Sequence, residues 1–322
     1  MEKWIAGHVK EAYRQPSQNN WKGRSTTAAQ GAQYWYQNVT LRNWGEDPIA
    51  GSIGIVGYAC EEGVRRNQGR LGAVAGPQVL RERMARLAWH HAGKTVTDYG
   101  DVVCVGEDME AAQAQLALMV AGIIGAGGMP IVLGGGHDLA YGHYKGVRAA
   151  AGERKIAIIN FDAHFDLRPV TGLPNSGTPF NQILQEDLVD YFVLGIQQPA
   201  NTTELFGIAE ENGVEYMLAQ HCRTYQLPTI IQSLDRLLDR NDQVYLSIDL
   251  DGFSSAYAPG VSAPSPLGFS PAFVMAVLDY LMASGKVVSV DLAEMNPIFD
   301  IDGHTARLGA GLVDHLLDQL PG

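Results

Sequence analysis

A chain of 322 residues, 46% apolar and 18% charged, can bury a substantial core as one large α/β domain or two smaller ones. Its 23 Lys and Arg against 35 Asp and Glu give a net charge of −12, which repels phosphate backbones and anionic lipid and argues against nucleic acid and membranes as partners. The acid excess has a second reading, because two divalent cations facing some of these carboxylates would move the charge from −12 to −8.

The chain opens Met1-Glu2-Lys3-Trp4, with no apolar run of signal-peptide length. Residues 1–50 are polar yet hold four of the five tryptophans: Trp4, Trp21, Trp35 and Trp44. Disordered tails are poor in aromatics, so this segment is expected to pack on the body or on a neighbouring subunit. From about residue 52 short apolar runs alternate with longer amphipathic segments. Strands are predicted at 53–58, 95–98, 130–133, 156–161, 191–194, 244–250 and 287–292. Helices are predicted near 77–90, 108–123, 139–150, 226–239, 271–284 and 305–319. Strands apolar throughout are buried on both faces, and this alternation implies right-handed βαβ crossovers and a doubly wound, mostly parallel α/β fold. The uncharged stretch from Leu116 to Gly136 is broken by glycines and Pro130, and reads as a buried helix running into a buried strand. No Pro/Ser-rich linker or repeat interrupts residues 51–322, which are expected to form a single catalytic domain. Cys60, Cys104 and Cys222 form no CxxC pair and no disulfide framework, as expected of free thiols in a reducing, cytoplasmic compartment.

Polar residues cluster where strands end, which is where open α/β sheets bind their ligands. Gly134-Gly135-Gly136-His137-Asp138 follows the third strand, and Asp162-Ala163-His164-Phe165-Asp166 follows the fourth. Asp249-Leu250-Asp251 ends the sixth, and Asp291 and Glu294 lie at the end of the seventh. In extended backbone residues two apart share a side, so Asp162, His164 and Asp166 are expected to point together, as are Asp249 and Asp251. With His137 this makes two imidazoles and four carboxylates around one crevice. The glycine loop alone is weak and Asp249 with Asp251 alone reads as a cap or solvated turn, while Asp162–Asp166 is a stronger metal signal by itself; all three in order at strand ends are no coincidence. Four crowded carboxylates repel one another unless cations intervene. Oxygen and imidazole donors without thiolate favour two Mn²⁺ ions, which, bridged by shared aspartates at about 3.5–4 Å, would activate a water for hydrolysis.

These motifs resemble those of the ureohydrolase family, which includes arginase, agmatinase and formimidoylglutamase, from about residue 52 to the C-terminus. The resemblance implies a three-layer αβα fold and a binuclear manganese centre with His137, Asp162, His164, Asp166, Asp249 and Asp251 as ligands. It implies that Glu294 faces the cationic end of the substrate. Gly57–Arg70, Asp166-Leu167-Arg168, Ser176-Gly177-Thr178-Pro179-Phe180 and Thr305-Ala306-Arg307-Leu308 are similar to the formimidoylglutamase branch, although Glu61 stands where Asp is more usual. Arginases and agmatinases typically carry a histidine where this chain has Ser176. The resemblance therefore implies hydrolysis of N-formimidoyl-L-glutamate to L-glutamate and formamide, with Asp166 passing the proton. That substrate carries two carboxylates, for which Arg168 is the first candidate partner and Asn175, Ser176 and Thr178 are candidate hydrogen-bond donors. Arg65, Arg66 and Arg70 are weaker candidates. His143, His221, His304 and His315 carry no motif. The rival readings are an agmatinase, guanidinobutyrase or arginase releasing urea, and a catalytically silent metal-binding homologue. The family also implies a homo-oligomer.

Overall fold

The computed structural model describes residues 12–27 and 31–320. Ten strands form one sheet: β1 (Tyr13–Arg14), β2 (Val39–Leu41), β3 (Ile53–Ala59), β4 (Val96–Val103), β5 (Met129–Leu133), β6 (Ile156–Phe161), β7 (Asp190–Ile196), β8 (Glu215–Leu218), β9 (Gln243–Asp249) and β10 (Val287–Ala293). Their order is β1-β4-β3-β5-β10-β9-β6-β7-β8, with β2 beside β4. Every pairing is parallel except that of β1 with β4. Helices cover both faces, which makes the three-layer αβα, doubly wound architecture that the alternation predicts.

The period of two along each central strand explains the layers. Ile131 and Leu133 enter one hydrophobic cluster and Val132 the other, and Ile159 and Ile158 divide in the same way. The helices Pro271–Ala283 and His304–Gln319 fill the first face, and Met109–Gly125 and Leu139–Ala151 fill the second. The uncharged stretch at 116–136 resolves into the helix Met109–Gly125 and β5. None of the described helices is long and apolar enough to cross a membrane.

The amino-terminal segment is tied in by polar bonds as well as by rings. Trp21 Nε1 donates to Asp98 Oδ2 at 2.7 Å, and Trp35 Nε1 donates to Asp314 Oδ1 at 2.7 Å. Trp44 sets its ring edge-on to Tyr99, and Trp4 lies outside the described residues. Arg81, buried in the helix Gly76–Met84, bridges Asp98 at 2.8 Å and Asp101 at 2.5 Å. Buried charges persist only when paired, so this cluster fixes that helix against β4. Several elements had too little periodicity to be read from sequence: β1, β2, β8, and the helices Glu62–Arg66, Pro179–Glu186 and Thr203–Glu211.

Candidate metal centre

The carboxyl ends of β5, β10, β9 and β6 stand side by side at the middle of the sheet. After β5 the three glycine N–H groups donate to Leu292 O, Tyr58 O and Cys60 O at 2.7, 2.8 and 3.0 Å, threading the loop between the ends of β10 and β3. A Cβ at Gly135 would stand 2.0 Å from Cys60 O, so only glycine passes there. The loop delivers His137, 1% exposed, with its ring edge against Phe180.

After β6, Asp162 Oδ1 accepts the N–H of His164 at 2.7 Å, and Asn160 Nδ2 donates to its Oδ2 at 3.1 Å. After β9, Asp249 Oδ1 accepts the N–H of Asp251 at 2.7 Å within the turn Leu250–Gly252. Each aspartate thus caps the residue two places on and is pinned by it. Asp166 and Glu294 both adopt left-handed backbone, at φ +49 and +63. Non-glycine residues hold such angles at a cost of roughly 1–3 kcal/mol, and here they aim the two acids inward. Glu294 is held twice: its N–H donates to Gly135 O at 2.8 Å, and its Oε1 accepts from the N–H of His137 at 2.9 Å.

The outcome is two clusters of donor atoms sharing one residue. His137, Asp162, Asp166 and Asp249 form the first, and Asp162, His164 and Asp251 the second, with the atoms of each within 4.8 Å of one another. His137 Nδ1 has carboxylate oxygens of Asp162, Asp166 and Asp249 at 3.2, 3.0 and 3.0 Å, yet none completes a hydrogen bond to it. His164 Nδ1 lies 3.4 Å from Asp162 and 3.3 Å from Asp251. Asp251 Oδ1 and Glu294 Oε2 are buried without a partner. Buried polar atoms are almost always paired, so unpartnered atoms at three strand ends beside two clusters of ligand atoms fit cations, and the all-oxygen-and-imidazole set suits Mn²⁺.

The electrostatics agree. Burial first, then repulsion from neighbouring carboxylates, raises the pKa values of Asp166, Asp249, Asp251 and Glu294. Burial opposes charge on His137, but Asp162, Asp166 and Asp249 together lift it well above its usual value. A site where four acids resist ionising and the imidazoles resist losing protons lacks positive charge.

Asp138, next to the cluster, shows how costly an uncompensated acid is. Its Oδ2 accepts from Tyr58 OH at 2.7 Å, its Oδ1 has no partner, and burial pushes its pKa to about 7. A folded-state pKa above the unfolded one means that the native chain holds an extra proton between those values, so stability falls as the pH rises from about 4 to about 7. Asp138→Asn should remove that fall. In the metal-free protein the variant should gain on the order of a few kcal/mol relative to the parent between pH 4 and pH 8, read as urea midpoints. An unchanged difference across that range would show that Asp138 does not titrate there.

The clusters floor a cavity of about 270 Å³ that His137, His164, Asp166, Asp249, Asp251 and Glu294 line. Its mouth carries Asn67, Arg70, Arg168, Ser176, Asn201 and Ser262. The arginines divide sharply. Arg65 and Arg66 are paired with Glu62, Glu107 and Glu110. Arg168 has no carboxylate partner among the described residues and bonds through Nη1 to the amide oxygen of Asn67, whose Nδ2 donates to Ser176 Oγ at 3.1 Å. Arg70 donates to Ser262 O and Val261 O and lies 3.9 Å over the Phe299 ring. Asn175 and Thr178 do not line the cavity; their polar atoms hold the turn that seats Ser176, with Asn175 Oδ1 accepting from Gly177 N at 2.9 Å. His304 and His315 also lie outside the lining, the latter paired with Asp279. Sequence reading missed Asn67, Asn201 and Ser262 as lining residues, and nothing in their spacing would have marked them.

The sequence pattern of the arginase family matches residues 51–318. A formimidoylglutamase from Geobacillus thermodenitrificans is 42% identical over 304 residues, which cover 92% of this chain and 94% of that protein. The crystal structure of formimidoylglutamase from Bacillus subtilis superposes with a TM-score of 0.82 at 22% identity, over 92% of this chain and 94% of that one. Formiminoglutamase from Trypanosoma cruzi, crystallised with Mn²⁺, superposes with a TM-score of 0.76 at 25% identity, over 84% and 93%.

Proposed function

The chain belongs to the arginase family, and from that premise we propose that it hydrolyses N-formimidoyl-L-glutamate to L-glutamate and formamide. It is a hydrolase of linear amidine C–N bonds. The observation that carries the substrate is the polarity of the cavity, an acid floor beneath a mouth with two guanidiniums that have no carboxylate partners among the described residues. A formimidoyl amidinium suits the floor and two carboxylates suit the mouth. Agmatine would set its cationic amine against those guanidiniums instead.

His137, Asp162, Asp166 and Asp249 would hold one Mn²⁺, and Asp162, His164 and Asp251 the other. Bound there, the two ions would lower the pKa of a water and polarise the amidine. Glu294 Oε1 is occupied by His137 N–H, which leaves the unpartnered Oε2 to accept an amidinium N–H. Asp166 faces the cavity and takes the proton of the attacking water, then passes it to the departing glutamate nitrogen. Arg168 and Ser176 hold the carboxylate end, so that the amidine carbon meets the floor in one orientation. Residues 51–322 carry this chemistry as one domain of a homo-oligomeric, cytoplasmic enzyme of histidine breakdown, in keeping with three unpaired cysteines.

The test is to load the protein with Mn²⁺ and assay N-formimidoyl-L-glutamate, agmatine, guanidinobutyrate and arginine side by side, scoring glutamate, formamide and urea. Glutamate and formamide from the first alone is the expected result. Urea from any guanidine would overturn the substrate and leave the fold and centre standing.

A further inference from the structure

Resting on the binuclear reading above, we propose that Asp291, acting through Ser247, is a positioning residue that fixes which nitrogen of His137 faces the cations. Asp291 and Ser247 are register partners on β10 and β9, so their side chains meet on one face of the sheet. Both are fully buried. Asp291 Oδ1 accepts from Ser247 Oγ at 2.7 Å, and Oδ2 accepts from Tyr245 OH at 2.5 Å. His143 Nδ1, from the helix Leu139–Ala151, faces the same Oδ2 at 2.7 Å, and its other ring nitrogen meets Ser289 Oγ. No lysine or arginine among the described residues reaches this carboxylate.

Direction follows from the donor inventory. A hydroxyl has one proton, and that of Ser247 goes to Asp291. Ser247 Oγ therefore presents only lone pairs to His137 Nε2, 2.9 Å away, so Nε2 must carry the hydrogen. The nitrogen left to offer a lone pair to a cation is then Nδ1, which Asp162, Asp166 and Asp249 surround. Partners behind a metal-ligating histidine fix its tautomer and ring angle in this way, and losing one costs about 10- to 100-fold in metal affinity. In this chain the chain of bonds ends on a buried aspartate held by a tyrosine and a second histidine. That gives the motif-free His143 a task.

The measurement is calorimetric titration of the metal-free protein with Mn²⁺, with no turnover involved. The parent should take up two ions per subunit. Asp291→Leu frees the Ser247 hydroxyl to turn and donate to Nε2, and Ser247→Ala removes the acceptor. Each should weaken one ion about 10- to 100-fold, and the ion held by Asp162, His164 and Asp251 should bind as before. Asp291→Asn keeps an oxygen for Ser247 and should restore most of the lost affinity. Parent-like binding of both ions by Asp291→Leu and Ser247→Ala, or equal weakening of both ions, would overturn the positioning role. A parent that binds fewer than two ions would instead overturn the binuclear centre beneath it.

Discussion

Asp162→Ala is expected to lower kcat/KM for N-formimidoyl-L-glutamate by at least on the order of 10³-fold and to leave the purified protein with less than one Mn²⁺ per subunit. The reason is topological. Asp162 is the one residue common to both donor clusters, so its loss opens both at once, whereas losing Asp251 or Asp166 opens only one. It is also fully buried, which denies a water easy entry in its place. The second effect is electrostatic. Asp162 contributes to the raised pKa values of Asp166, Asp249 and Asp251, so its removal relieves repulsion while it removes a ligand. The variant should therefore be folded and inactive, and its metal-free form should lose little stability against the metal-free parent. Activity within tenfold of the parent, with two ions still bound, would show that these clusters do not form the catalytic centre.

Metal removal from the parent should show the same logic through pH. Burial and mutual repulsion raise Asp166, Asp249, Asp251 and Glu294, and neighbouring carboxylates raise His137 and His164 against the opposing effect of burial. Groups whose folded pKa is raised bind protons more tightly in the native state, so their contribution is greatest in acid and is lost as the pH rises through their folded values. Asp162 has the opposite sign, since its bonds from the two histidines outweigh burial and hold it low. With six groups against one, the metal-free protein should lose stability as the pH rises above the carboxylate range. Mn²⁺ should flatten the fall, adding about 2.7 kcal/mol when free metal is at 100 times Kd.

The sheet and its order of ligands are legible because buried parallel strands must be apolar throughout, and because β5, β6 and β10 run directly into buried polar residues while β9 ends on Asp249. Strand periodicity accounts for only part of their convergence. Asp162, His164 and Asp166 were expected to share a side as extended strand, but β6 ends at Phe161 and the three lie on a loop. What brings them together is the Asp162 cap on His164 and the left-handed turn at Asp166, neither of which a period of two encodes. The same holds for Asp251, which sits in a helical turn capped by Asp249. The supporting layer was illegible for a different reason. Ser247 and Asp291 come from β9 and β10, and His143 from a helix, 148 residues from Asp291 in sequence, and only the fold brings them into contact. Asn175 and Thr178 illustrate the converse, since their residue types suit a ligand, but the local turn already uses their polar atoms.

Arg168→Ala should raise KM for N-formimidoyl-L-glutamate about 10- to 100-fold while lowering kcat by much less. The range corresponds to the roughly 1.5–3 kcal/mol of a charge-assisted hydrogen bond. The split between the two constants follows from position. Arg168 lines the mouth of the cavity, away from the acid floor, so its contribution is present in the bound substrate and in the transition state alike, and uniform binding appears in KM. The rival role for such an arginine is an internal ion pair, and the structure gives it no acid among the described residues, where its guanidinium bonds to the neutral amide of Asn67. An exposed guanidinium at the rim of the cavity, with no internal acid to hold it, is free to receive an incoming anion. Arg168→Lys should recover part of the loss, because an ammonium keeps the charge but not the planar fork that meets two carboxylate oxygens. The discriminating arm is a substrate lacking one carboxylate. If Arg168 binds the γ-carboxylate, N-formimidoyl-2-aminobutyrate should be turned over equally by parent and variant; if it binds the α-carboxylate, N-formimidoyl-4-aminobutyrate should be. An Arg168→Ala variant with parental KM for the dicarboxylate would assign the residue to the loop and not to the substrate.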